Sequence, residues 1–162
     1  MRNKHPIPGF DPFDSAILDQ LQRDARISNV ALAERVNLSP APCLRRVRDL
    51  ESAGVIRRHV TLLDPQALGL DVSVFIQIRL EKQIGSALRT FEETIEACPE
   101  VMECYLMTGD ADYLLRVVAP NLDALQKFIV NRLATVPHIA SIRSSIALKQ
   151  VKYKTELPIG AA

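Results

Sequence analysis

Hydrophobic and polar positions follow two different periods along the chain, and the change between them divides it. From Phe13 to Gln22, the residues Ile17, Leu18 and Leu21 fall at helical spacing, with Asp14 placed to cap the first turn. A second helix is expected from about Val30 to Val36, with Leu32, Ala33 and Val36 on one stripe. Asn37-Leu38-Ser39 reads as a turn, and Ser39-Pro40 supplies a cap with proline at the first helical position. The third helix runs to about Ala53 and stops at Gly54, a residue suited to the left-handed helix terminator. Beyond it, Val55 to Leu63 is β-branched and aliphatic and is expected to be extended, until Asp64-Pro65 breaks it.

The second half alternates between strand and helix. Val72, Val74, Ile76, Ile78 and Leu80 occupy every second position, a strand with one buried face. A helix from about Ser86 to Ala97 buries Leu88, Phe91 and Ile95. Strands from about Val101 to Met107 and Tyr113 to Ala119 flank Thr108-Gly109-Asp110-Ala111-Asp112, which reads as a hairpin turn. Asn121 caps a helix carrying Leu122, Leu125, Ile129 and Leu133, and a last strand runs from Ile139 to about Tyr153. The order βαββαβ predicts a ferredoxin-like domain with both helices on one sheet face, and with the three N-terminal helices in helix-turn-helix spacing ahead of it the fold class is α+β. The other face needs a cover, and a second copy of the chain supplies one, so a dimer is expected. The expected divisions are a tail over 1–13, a DNA-binding domain over 14–63, a hinge over 64–71, a ferredoxin-like domain over 72–154, and a tail over 155–162.

Composition narrows the classes. No run of about 18 apolar residues exists, so no spanning helix and no membrane role are expected. The basic, proline-containing N-terminus lacks the apolar stretch of a secretory signal. Three cysteines, Cys43, Cys98 and Cys104, lie without CxxC spacing, which argues against a disulfide framework or a zinc site and for a reducing cytoplasm. Net charge is only +1. Locally the balance differs: residues 40–58 carry five arginines against Asp49 and Glu51, a net +3, so the rest of the chain sums to −2. That is a basic patch on a near-neutral protein.

The patch coincides with the third helix. On a helical wheel Cys43, Leu44, Val47 and Leu50 form the arc that packs on the first two helices, and Arg45 lies opposite. Ser39, Ala41 and Pro42, small residues at its N-terminal end, allow close approach to a groove of double-stranded DNA. Arg45 can reach a base or a phosphate, and Arg46 and Arg48 on the flanks suit phosphates.

Three motifs together resemble the Lrp/AsnC family of leucine-responsive and asparagine-responsive regulators. They are Asp14-x-x-Ile17-Leu18-x-x-Leu21-Gln22-x-Asp24-Ala25-Arg26-Ile27-Ser28, then Leu38 through Glu51 with Gly54-Val55-Ile56, and Glu103-Cys104-x-x-x-x-Gly109-Asp110-x-Asp112-Tyr113-Leu114-Leu115. The similarity extends from about residue 14 to 154. It implies transcription regulation by a winged-helix-like DNA-binding domain joined to an amino-acid-sensing domain, in homodimers that assemble further, commonly into octamers. It also implies that Gly109-Asp110-Ala111-Asp112 is the lip of the effector pocket, and that Leu106, Ser144 and Ser145 occupy positions associated with effector response.

Charge supports that reading of the turn. Glycine lets backbone N–H groups approach a carboxylate, and Asp110 or Asp112 can hold an ammonium group. An amino acid, with leucine and methionine as first candidates, is therefore expected at Thr108 to Asp112, with Leu106 or Met107 lining an apolar pocket. No cofactor or metal is expected: His5, His59 and His138 are scattered without neighbouring ligands, and no catalytic motif appears. Cys43 and Cys104 read as small core residues. The chain is therefore expected not to be an enzyme. Two other readings are a DNA-architectural protein with little effector control, and an enzyme or the regulatory subunit of one.

Overall fold

In the computed structural model, which describes residues 11–81 and 85–159, the chain forms two compact units. One holds the described residues up to Leu62 together with those from Lys152 on; the other runs from Leu63 to Val151. Residues 1–10 of the expected N-terminal tail, with His5 among them, lie outside the described residues, as do 160–162 of the C-terminal one.

The first unit contains α1 (Pro12–Arg23), α2 (Asn29–Arg35) and α3 (Pro40–Ser52). Asp11 rather than Asp14 caps α1, its carboxylate accepting from the Asp14 N–H at 2.8 Å. Pro12 explains the shift, because it takes the first helical position and moves the cap one residue ahead of itself. Ser28 caps α2 through the Ala31 N–H at 3.2 Å. Asn37 turns the chain at φ 55°, and the Asn29 side-chain amide donates to the Pro40 carbonyl at 2.8 Å, tying the start of α2 to the start of α3. Gly54 ends α3 at φ 75°, its N–H donating to the Glu51 carbonyl while Val55 N–H reaches Leu50. Ile17, Leu18, Leu32, Ala33, Val36, Cys43 and Leu50 form the core between the three helices.

The extended stretch expected over Val55 to Leu63 forms no strand. Its residues from Arg57 on are exposed, and no described segment lies in register to complete a ladder with them. The last strand is likewise shorter than expected and ends at Ile146 instead of Tyr153. From Lys152 the chain belongs to the first unit again. The Gln22 side chain donates to the Leu157 carbonyl at 3.2 Å and accepts from the Leu157 N–H at 2.6 Å, and Ile159 packs against the helical core.

The second unit opens with a single 3-10 turn, Gln66–Leu68, closed by Gly69 at φ 72°. It then builds β1 (Val72–Leu80), α4 (Gly85–Glu96), β2 (Val101–Leu106), β3 (Tyr113–Ala119), α5 (Leu122–Asn131) and β4 (Ile139–Ile146). The strands pair antiparallel in the order β2-β3-β1-β4, which is the ferredoxin-like sheet. Val74, Ile76, Ile78 and Leu80 of β1 and Tyr113, Leu115 and Val117 of β3 face Phe91, Ile95, Leu125 and Phe128 of the helices. The opposite face carries Phe75, Gln77 and Arg79 from β1, with Arg116 and Leu114 of β3 opposite the first two. Gln77 and Arg79 meet Arg143 and Ser141 of β4.

Candidate DNA-binding surface and effector cleft

Along α3 the side chains of Ser39, Ala41, Pro42, Arg45 and Arg48 lie on the accessible side of the helix, all of them exposed. Ser39 holds the N-cap position without a capping side-chain bond. Leu44, expected in the buried arc, is 37% exposed instead. It stands about 100° round the wheel from fully buried Cys43, at the margin of the core. The accessible arc thus runs from Leu44 through Arg48 to Arg45, an apolar group beside two cations. Such a surface can meet a thymine methyl as well as phosphates and guanine edges.

Arg46 does not join it. Its Nη1 lies 2.6 Å from Asp11 Oδ2 and 2.7 Å from Asp14 Oδ1, and the guanidinium sits 5.5 Å from the Phe13 ring centre. The wheel gives the reason: Arg46 lies roughly 60° from Cys43, on the side facing α1, whereas Arg48 lies about 140° away. The expected phosphate contact is therefore corrected to an internal clamp between α1 and α3. The Asp14 N–H, then the guanidinium, hold the Asp11 carboxyl below its ordinary range. A depressed carboxylate contributes stability above its unfolded value and loses it as pH falls through its folded value, so the clamp holds at neutral pH and weakens in acid. Arg46→Ala is expected to lower the melting temperature of the helical unit and leave the salt dependence of DNA binding unchanged. Thermal melts and salt titrations of the variant check both.

In the second unit the effector residues named from sequence do not converge on one place. Gly109, Asp110 and Asp112 line a cleft of about 550 Å³ with Gln77, Arg79, Glu81, Ser141 and Arg143. Leu106 instead lines a groove of about 390 Å³ between α4 and β2, with Met102, Cys104 and Tyr113. Thr108, Met107, Ser144 and Ser145 line neither. Ser144 pairs with buried Ile76 and Ser145 with Phe75 on the other face, so adjacent serines point to opposite sides of the sheet. The arginines that flank the turn were missed. Alternation placed Arg79 simply on a polar face, and only strand pairing brings it beside residues more than sixty positions away.

The two aspartates of the turn differ. Asp110 is exposed, but Asp112 is 5% exposed and its Oδ2 accepts from the Leu80 N–H at 2.6 Å. Its own N–H donates to the Ile78 carbonyl at 2.8 Å, so Asp112 pins the turn to β1. The ammonium-holding role expected of either aspartate fits Asp110 better. Asp112→Ala should leave a buried N–H unsatisfied and cost about 1–3 kcal/mol of stability, measurable by urea unfolding. Gly109 adopts φ 116°, a backbone conformation that a side chain would strain.

The groove under α4 is chemically quiet. The Tyr113 hydroxyl donates to Glu92 at 2.7 Å, and burial, then Glu92, pushes its ionisation upward. Cys104 is exposed as a residue rather than a core one, yet burial of its thiol, then Glu92, pushes it up to about 11. Cys43 is buried as expected, which likewise raises its thiol. Neither supplies a thiolate at neutral pH. Among the described residues no three His, Cys, Asp or Glu side chains are grouped to hold a metal. None of their helices is long and apolar enough to cross a membrane.

Residues 10–57 match the family model for winged helix-turn-helix DNA-binding, and residues 73–157 match that for the Lrp/AsnC ligand binding domain. The Bkd operon transcriptional regulator of Pseudomonas aeruginosa is 46% identical over 150 residues, spanning 93% of this chain and 98% of the relative. The leucine-responsive regulatory protein of Escherichia coli K12 is 38% identical over 156 residues, 96% of this chain and 95% of that one. A transcriptional regulator of Neisseria meningitidis, solved as a complex with L-methionine, superposes with a TM-score of 0.90 at 36% identity. The match covers 94% of this chain and 98% of that one. With a DNA-binding helical unit and a ligand-binding ferredoxin-like unit in the family's order, the chain belongs to the Lrp/AsnC family of transcriptional regulators.

Proposed function

We propose that the protein grips operator DNA with α3 and that an amino acid in the cleft at Gly109–Asp112 alters its assembly and DNA affinity. Ser39, Ala41, Pro42, Leu44, Arg45 and Arg48 form the DNA-facing surface, with Arg45 placed for a base or phosphate and Arg48 for a phosphate. The effector reading rests chiefly on the cleft, where charges of both signs from β1, β4 and the turn before β3 line one space. Among the described residues the N–H groups of Gly109, Asp110 and Ala111 donate to nothing, and the Asp110 carboxylate is without a partner. A zwitterion needs donors at one end and an acceptor at the other, and leaving either unpaired in a closed site costs several kcal/mol.

Relatives named for leucine response and a relative solved with methionine make these two the first effectors to try. The cleft of one chain is polar, so an apolar side chain would need a cover from a neighbouring copy. The open sheet face, with Phe75 39% exposed, favours a dimer, and the family resemblance favours further assembly to an octamer. As a DNA-bound regulator whose relatives are named as transcriptional regulators, it works in the cytoplasm and is not an enzyme. Thermal melting of the full chain against each of the twenty amino acids tests the sensing role. At least one should raise the midpoint by mass action, and no shift from any of them contradicts it.

A further inference from the structure

Arg79 and Arg143 are the two cations of the cleft, and neither makes a hydrogen bond or ion pair among the described residues. They come from adjacent strands. Arg79 pairs directly with Ser141, and Gln77 with Arg143, so the two guanidiniums are diagonal neighbours on one face, with backbones about 7–8 Å apart. Like charges so placed repel, and the strand pairing fixes both of them there. By contrast the third arginine of that face, Arg116, is neutralised by Glu103 at 2.7 Å. Hydrogen bonds from Tyr105, then Arg116, hold the Glu103 carboxyl below its ordinary range. The face therefore satisfies one arginine internally and leaves the two beside the turn open.

We infer that Arg79 and Arg143 together seat the carboxylate of the amino-acid effector. This inference rests on the reading of the cleft as the effector site. Two guanidiniums offer a planar set of charge-assisted donors that a carboxylate fills from both sides, a stronger hold than exposed turn N–H groups give. Asp110, across the cleft on the turn, then takes the ammonium group, and Ser141 and Gln77 complete the polar floor. The ligand class is thereby set: a free α-amino acid, not an amide or ester of one. Binding also removes the repulsion between the strands, so the ligand stiffens the β1–β4 pair, to whose β1 strand Asp112 pins the turn.

Calorimetry with full-length protein tests this, using L-methionine, L-leucine and L-methioninamide as probes. Wild type is expected to bind at least one free amino acid and to bind the amide at least about tenfold more weakly. Arg79→Gln and Arg143→Gln should each weaken the amino acid by about tenfold or more, and Arg143→Lys by less, because it keeps the charge and loses the fork. Both side chains are exposed in the single chain and each substitution removes one of two repelling charges, so the unliganded variants should fold, with a melting temperature at or above that of wild type. Equal affinity in wild type and both glutamine variants, or equal affinity for methionine and its amide, overturns the inference and leaves the cleft as an amino-acid site. A change in oligomeric mass with unchanged ligand affinity also overturns it, assigning the pair to a subunit interface. If wild type takes up none of the twenty amino acids, the reading of the cleft fails first and the inference falls with it.

Discussion

Phe91→Ala is expected to cost the ferredoxin-like unit about 3–5 kcal/mol, enough to unfold much of it at 37 °C in a domain of ordinary stability. Phe91 is fully buried, and its ring centre lies 4.4 Å from that of Tyr113 at an interplanar angle of 32°. Truncation removes that contact and opens a cavity under α4, where Ile95, Leu115 and Leu125 cannot all collapse. It also loosens Tyr113, whose hydroxyl is fixed by Glu92, the next residue of the same helix. The turn proposed to sense the effector ends directly before Tyr113, so ligand response should be lost with the fold. Phe91→Leu keeps most of the volume and should cost much less. Urea unfolding followed by circular dichroism separates the two variants.

Arg45→Ala is expected to reduce operator affinity by about 1–3 kcal/mol, roughly five- to 150-fold. Its side chain is exposed on the arc of α3 opposite the core, so folding should be unaffected. If Arg45 meets a base, discrimination at one position of the site should relax. If it meets a phosphate, the slope of affinity against salt should flatten by about one unit instead. The comparison with Arg46→Ala is the informative one. One residue along the same helix, that substitution should move the melting temperature of the helical unit and spare the salt slope.

Much of this was legible from periodicity. The alternation of Val74, Ile76, Ile78 and Leu80 named the buried face of β1, and the Asn121 cap marked the start of α5, where it accepts from the Ala124 N–H at 2.8 Å. The three helices of the DNA-binding unit and the strand order come from elements whose period and caps agree. What periodicity could not supply was direction on the margins. Arg46 and Arg48 looked equivalent as flanking residues, and the difference depends on Asp11 and Asp14 being carried to one side by another helix. Leu44 looked buried because its wheel position adjoins Cys43, but its neighbours leave it partly uncovered.

The cleft illustrates the same limit more strongly. Gly109, Asp110 and Asp112 were readable as a hairpin turn from their residue types, and the proposal that the turn holds a ligand came from the family resemblance. Asp112 proved to be the turn's anchor, since burial and the Leu80 N–H are tertiary facts. Arg79 and Arg143 carry no local signal at all. They meet only because β1 and β4 are neighbours in the sheet, and chain order does not bring such pairs together. The shortfall at Val55 to Leu63 has the opposite origin. Propensity favoured a strand there, but a strand needs a partner for its N–H and C=O groups.

The central claim is that this chain is an effector-responsive, sequence-specific DNA binder. Fluorescence anisotropy of the full-length protein on the region upstream of its own gene, and on random DNA of equal length, tests it most directly. Each titration is run at fixed salt with and without the amino acid that shifts thermal stability. The account predicts clearly tighter binding to the upstream region, at least about tenfold, and a change in that affinity when the amino acid is added. Equal affinity for both DNAs, unmoved by the ligand, would contradict it and favour an architectural protein that wraps DNA without regard to sequence.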